Sequence, residues 1–166
     1  MNTIDPQAPA DTRRDVDRWL GDYSENHRNP VNIVIHWIDV PLIFWAVVAL
    51  LWVVPVPAVL GRAGLWAGVA MFAALTFYLR LSRPLGFAML IAFVVLGLIT
   101  EALYRTLGSH DLMRLASVVF VLAWIAEFVG HKIEGKKPSF LTDQVYLLIG
   151  PVWIVTKIMR RLGVAY

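Results

Sequence analysis

The chain has four histidines and no cysteine, so any metal or redox chemistry must run on imidazoles and carboxylates. Disulfides, zinc–thiolate sites, iron–sulfur clusters and thiol nucleophiles are excluded. His27 and His36 are nine residues apart, which puts them on opposite faces of any continuous helix at ~100° per residue. Pro30 lies between them. It suits the first turn of a helix and biases Asn29 away from α, so His27 belongs to a lead-in segment that can fold back toward His36. Much later, Glu127, His131 and Glu134 follow at i, i+4 and i+7, on one helix face. Imidazoles and carboxylates projecting from facing helices commonly hold a metal in a helix bundle. Plainer readings stand beside this one. An isolated interfacial histidine is more often a headgroup or capping contact, and Glu134 before Lys136 and Lys137 also reads as a solvated loop. Asp39 and Glu127 are harder to set aside, because each lies within an apolar run, where an ionisable side chain costs a few kcal/mol and usually marks function.

The elements that position these residues read as an all-α integral membrane protein: a bundle of four transmembrane helices plus a C-terminal interfacial or re-entrant helix. The sequence is 58% hydrophobic and 16% charged, against about 25% charged in soluble domains. The charges gather in the first 30 residues, the last few and short clusters between apolar runs. Residues 1–22 form a polar N-terminal segment that does not read as a secretory signal peptide. Residues 23–166 form a single helical membrane domain. Crossing ~30 Å of hydrocarbon takes about 20 mostly apolar residues, and four stretches are expected to do so: 31–54, kinked at Pro41 and ended by Pro55 and Pro57; 61–79; 84–100, opened by Pro84; and 112–130. The run 145–155 is short and broken by Gly150-Pro151, which fits an interfacial or re-entrant helix.

Lysine and arginine near the helix ends set the orientation. With four spans, one side collects Arg13, Arg14, Arg18, Arg28, Arg80, Arg83, Lys132, Lys136, Lys137, Lys157, Arg160 and Arg161; the other has only Arg62, Arg105 and Arg114. Both termini are therefore expected in the cytoplasm, in a multi-pass protein of a bacterial inner membrane, or of the endoplasmic reticulum in a eukaryote. This topology brings His27, His36 and His131 to the cytoplasmic side and leaves His110 about a bilayer thickness away. Basic residues beside apolar segments suit anionic lipid headgroups; nothing in the sequence suggests a nucleic-acid partner, and oligomeric state is not written in it.

Two segments carry a family resemblance. YSENHRNPVNIVIHWIDVP, from Tyr23 to Pro41, resembles the opening of the membrane-bound 2-hydroxy-fatty-acid dioxygenase family at Tyr23, His27, Asn29, Asn32, His36 and Pro41. WIAEFVGHKIEGKKPSFLTD resembles the family's second motif at Trp124, Phe128, Gly130, His131, Glu134, Pro138 and Asp143. Together with the helices between them, the motifs cover nearly all of residues 23–143. Asp39 stands where the family usually has glycine, Glu127 where many members have glutamine, Ile133 in place of phenylalanine and Ser139 in place of alanine. The resemblance implies a non-haem Fe(II) dioxygenase that uses O2 to shorten a 2-hydroxy fatty acid by one carbon, as in fatty-acid α-oxidation. It implies His27, His36 and His131 as catalytic metal ligands, with Glu134 as a further ligand or as the group that orients one. It also implies Tyr23, Asn32 and Asp143 as substrate-contacting or ligand-supporting residues; Glu127, on the helix face of His131, would add a carboxylate facing the metal. Arg28, Lys132, Lys136 and Lys137 would attract the substrate carboxylate, and the acyl tail would lie between helices, open to the bilayer. The rival readings are a haem-binding membrane subunit, with His36 and His131 as the one candidate axial pair, and a non-catalytic membrane scaffold or small transporter.

Overall fold

Residues 15–138 and 145–166 are described by the computed structural model. Among them are five α-helices and no strand: α1 (Asp15–Glu25), α2 (Pro30–Trp52), α3 (Leu65–Leu81), α4 (Arg83–Glu134) and α5 (Tyr146–Arg161), with a 3-10 turn at Ala58–Leu60.

Local signals set the helix ends. The Asn29 side chain caps α2, its Oδ1 accepting from the Val31 N–H at 2.9 Å, and Pro30 occupies the first turn. Pro41 sits inside α2 without ending it. The Trp52 carbonyl accepts from Gly64 N–H at 3.0 Å. Gly64 has φ 90°, and a Cβ there would lie 2.7 Å from Trp52 Cε2, so conformation and space both require glycine. Ser82, in extended conformation, separates α3 from α4.

Helix α4 has one break, at Gly108 (φ 77°, ψ 174°). Contacts along α2 show that the break reverses the chain. The ring of Phe44 stacks on Phe93 at 5.6 Å, and Trp52 lies beside Gly97, so the arm 83–107 runs parallel to α2. Asn32 lies against Gly130, while Leu42 and Val119 line one furrow, so the arm 109–134 runs antiparallel to it. With α3 the result is an up-down-up-down bundle around α2. The third and fourth stretches run as two opposed arms, but the short loop expected between them, with His110 in it, is corrected: one residue outside the helical region makes the turn, and His110 is helical. Two helices, α2 and α4, are long and apolar enough to cross a membrane, rather than the four expected. Helix α3 is apolar but has only 17 residues.

Helices α1 and α5 close the end of the bundle where α2 begins. Residues 15–22, grouped above with the polar segment, form most of α1, and Val16, Leu20 and Tyr23 are buried. Trp19 meets Tyr146 edge-on at 5.3 Å, and Tyr23 meets Trp153 at 5.4 Å. Ile149 and Val152 of α5 are fully buried. The Tyr78 hydroxyl donates to the Leu148 carbonyl at 2.9 Å, tying α3 to α5.

Beside its apolar core the bundle buries a polar cluster and exposes large apolar side chains. Asn32, His36, Asp39, Thr100, Glu127 and His131 are buried, while Phe72, Phe87, Ile91, Leu98 and Leu122 are more than half exposed.

Candidate metal centre

The site begins with the turn between α1 and α2. His27 Nδ1 lies 2.6 Å from the Tyr23 carbonyl, and His36 Nδ1 lies 3.0 Å from the Asn32 carbonyl. A carbonyl oxygen only accepts, so both Nδ1 atoms carry the proton. In the neutral rings each Nε2 is then a bare lone pair. Those two lone pairs face each other at 2.9 Å. Burial first, and His36 second, hold the His27 imidazole down at about 4, so it is neutral at pH 7.

The third imidazole comes from the returning arm of α4. His131 and His36 ring centroids are 5.1 Å apart, as are those of His131 and His27. Each of the three rings offers a nitrogen within 4.8 Å of the others, and all three are buried. Glu127, one turn before His131, reaches both: Oε2 is 3.1 Å from His36 Nε2, and Oε1 is 3.3 Å from His131 Nε2. Behind it lies Asp39, whose carboxylate shares a second group of potential ligands with His36 and Glu127. Asp39 is 1% exposed, and neither of its oxygens has a hydrogen-bond partner. The centre is thus rich in acceptors and poor in donors, an arrangement a cation or an added proton would relieve. The spacing suits a metal: two imidazoles at right angles on one divalent ion, each ~2.1 Å away, have nitrogens ~3 Å apart.

The close approach of the two α-helical walls depends on Gly130. A Cβ there would run into Asn32 Oδ1 and come within 3.3 Å of Ile35 Cγ2.

Glu134 stands apart from this convergence. Its oxygens accept from Arg28 N–H at 3.0 Å, Asn29 N–H at 2.9 Å and the Asn32 amide at 3.0 Å. It therefore fixes the turn that carries His27 and the start of α2. Lys136 reaches the Glu25 carbonyl at 2.8 Å. Arg28, Lys132, Lys136 and Lys137 are exposed, and none lines the cavity beside the centre. His110 is exposed near the Gly108 turn, at the other end of the bundle. Asp143 and Ser139 lie outside the described residues.

Beside the imidazoles is a cavity of ≈ 50 Å³, bounded by Tyr23, Phe44, Trp124, Glu127, His131 and the Gly150–Pro151 step of α5. It is far too small for a porphyrin, which weighs against the haem-subunit reading. Tyr23 stacks on His27 with ring centroids 4.1 Å apart. Burial, then the carboxylates of Glu127 and Asp39, raise its hydroxyl well above the ordinary value, so it stays a donor. The contribution of α5 to this wall was missed in the sequence, although Gly150-Pro151 was the available signal: a step with no side chain and no N–H where the chain approaches closely.

The fold and the site together define a helical bundle with an apolar exterior and a buried histidine–carboxylate centre at one end. Comparison with known proteins supplies the family. A model of the family described as 2-hydroxy-palmitic acid dioxygenase Mpo1-like matches residues 13–162. The 2-hydroxy-palmitic acid dioxygenase MPO1 of Saccharomyces cerevisiae is 30% identical over 157 residues, covering 90% of this chain and 82% of its own length. The chain belongs to the Mpo1-like family. No solved structure matches it.

Proposed function

We propose that this protein is a membrane-embedded, Fe(II)-dependent dioxygenase that shortens 2-hydroxy fatty acids by one carbon. The observation that carries the reading is the convergence of three buried imidazoles, with the Nε2 atoms of His27 and His36 2.9 Å apart and both Nδ1 atoms committed to carbonyls. His27, His36 and His131 would hold the metal, with Glu127 beside them to balance its charge. Imidazole and carboxylate donors suit non-haem iron when coordination positions stay open. Bound there, iron would supply the O2 and redox chemistry of C1–C2 cleavage.

The chain's own residues do the rest. Glu134 holds the His27 turn in place, so the first histidine is presented by a fixed backbone. The Tyr23 hydroxyl, kept protonated, can donate to a substrate oxygen in the cavity. Phe44, Trp124 and Pro151 wall the cavity and keep water out. The relative's printed name supplies the substrate class, and a 2-hydroxy acid offers a carboxylate and a neighbouring hydroxyl as a chelating pair. The exposed apolar faces of α2 and α4 support membrane insertion. The bundle topology supports four passes, with the two arms of α4 as the third and fourth.

The test is metal content per chain after anaerobic purification, together with mass spectrometry of the acid product when Fe(II), O2 and 2-hydroxypalmitate are supplied. One divalent metal per chain is expected. Alanine at His27, His36 or His131 should lower occupancy strongly and abolish product. Full occupancy in all three variants would overturn the centre. Metal bound without chain shortening of any 2-hydroxy acid would overturn the reaction.

A further inference from the structure

A second cavity adjoins the one beside the imidazoles. Its volume is ≈ 280 Å³, and every residue lining it is apolar, among them Pro41, Met89, Ala92, Leu96 and Val155. Phe44 and Pro151 line both cavities, so the two spaces lie on either side of these residues. This boundary lies where α5 is thinnest. Gly150 has no side chain, and a Cβ there would lie 3.1 Å from the Tyr23 hydroxyl and 3.4 Å from Val40 Cγ1.

We propose that this groove is the binding site for the alkyl chain of the substrate. Phe44 and Pro151 form the collar between tail and head, and Ala92 is the residue that sets the accepted chain length. The inference rests on the dioxygenase reading and names where its substrate lies. The groove is walled by hydrocarbon alone and adjoins the polar cavity at Phe44 and Pro151. Its neighbour supplies the polar end: Tyr23, Glu127 and His131 at one side of the collar, hydrocarbon alone at the other. That is the outline of a single-chain amphiphile. Val95 on the groove's rim is 48% exposed on the flank of the bundle, so a chain can enter sideways from lipid without crossing water.

A furrow on the other side of α2 makes the discriminating comparison. It has the same volume, but Asp39 lies in it with both oxygens lacking donors, and it shares no lining residue with the cavity at the imidazoles. Two of its walls, Ile38 and Leu122, are 60% exposed, as on an ordinary lipid-facing surface.

The experiment compares wild type, Ala92→Leu, Ala92→Trp and the furrow control Leu122→Trp in lipid nanodiscs. It reads metal content, turnover of 2-hydroxypalmitate against 2-hydroxyoctanoate, and the residues crosslinked by a diazirine-bearing 2-hydroxypalmitate analogue. Bulk at Ala92 should leave metal content unchanged and shift preference toward the short acid by roughly tenfold, the weight of about two buried methylenes. Leu122→Trp should keep the wild-type profile, and the probe should label Phe44, Met89 or Val155. An unchanged chain-length profile in a metal-loaded Ala92→Trp protein would overturn the proposal. If wild type turns over neither acid, the reaction assignment fails, and the crosslinks decide the groove: label confined to outward residues such as Ile91 and Leu122 means bilayer contact only and overturns it. If Ala92→Trp loses its metal, the Leu variant and the crosslink map carry the same decision.

Discussion

At the residue scale, the centre is defined by which atoms lack donors. The folding back of His27 toward His36 was legible from sequence because proline placement and helix geometry allowed a lead-in segment there, and the two Nε2 atoms lie 2.9 Å apart. Glu134 was harder to place. Its spacing from His131 suggested a shared face, but its oxygens reach three donors on the turn between α1 and α2. Such a turn's path depends on tertiary packing, which no helical period encodes. Glu127 shows the opposite case, where helix periodicity sufficed, because its partner His131 is on the same helix. Two substitutions separate its charge from its hydrogen bonding. Glu127→Gln keeps an oxygen and the side-chain length, and should retain the fold and most of the metal. Glu127→Leu removes every polar atom and should weaken metal affinity by about 10-fold to 100-fold, the usual loss when a ligand's hydrogen-bonded support is removed. Titration of the apoprotein with Fe(II) under anaerobic conditions measures both. Equal affinity in Leu, Gln and Glu proteins would mean that residue 127 contributes packing alone.

At the element scale, the helices were legible, and one connection was legible in place but not in form. Apolar length and flanking prolines located α2 to within two residues of its observed ends, because a helix in an apolar surrounding must satisfy its own backbone whatever its neighbours do. The reversal was expected between residues 100 and 112, where the sequence turns polar, but as a short loop; that helix continues on both sides of the single residue Gly108 was not legible. Gly108 has φ 77° and ψ 174°, and a Cβ there would meet nothing within 4 Å. Replacement by alanine therefore costs backbone strain without a clash, about 1–3 kcal/mol for a residue held in a region reserved for glycine. Gly108→Ala should lower thermal stability in detergent while leaving metal stoichiometry at the wild-type value, since the turn lies at the far end from the histidines. A melting temperature equal to wild type would mean that the arms of α4 reverse by another route. Helix α5 was read as a short apolar piece at the interface. Its place as a wall of the cavity depends on contacts with α1 and α3, which sequence periodicity cannot supply.

At the scale of the whole molecule, an even number of chain passes separates the two motifs. Helix α2 runs away from the centre, α3 returns, the first arm of α4 leaves again and the second brings Glu127 and His131 back beside His36. An odd number would have put the motifs at opposite ends, with no shared site. The expected topology joins this geometry to the charge asymmetry of the sequence, twelve Lys and Arg residues on one side against three on the other in a four-pass arrangement. On that expectation the histidine end is cytoplasmic and the Gly108 turn faces the opposite compartment. The chain has no native cysteine, so single-cysteine proteins can be made without background. Ser109 and Lys137 are both exposed, one beside the turn and one just past the end of α4. In right-side-out spheroplasts, a membrane-impermeant maleimide should label Ser109→Cys and leave Lys137→Cys unlabelled until the membrane is opened. In inverted vesicles the pattern should reverse. Labelling of both positions from the same side would overturn the four-pass arrangement, because these residues bracket the second arm of α4. Labelling of Lys137→Cys alone from outside would preserve the passes and invert the orientation, placing the centre away from the cytoplasmic Fe(II) pool.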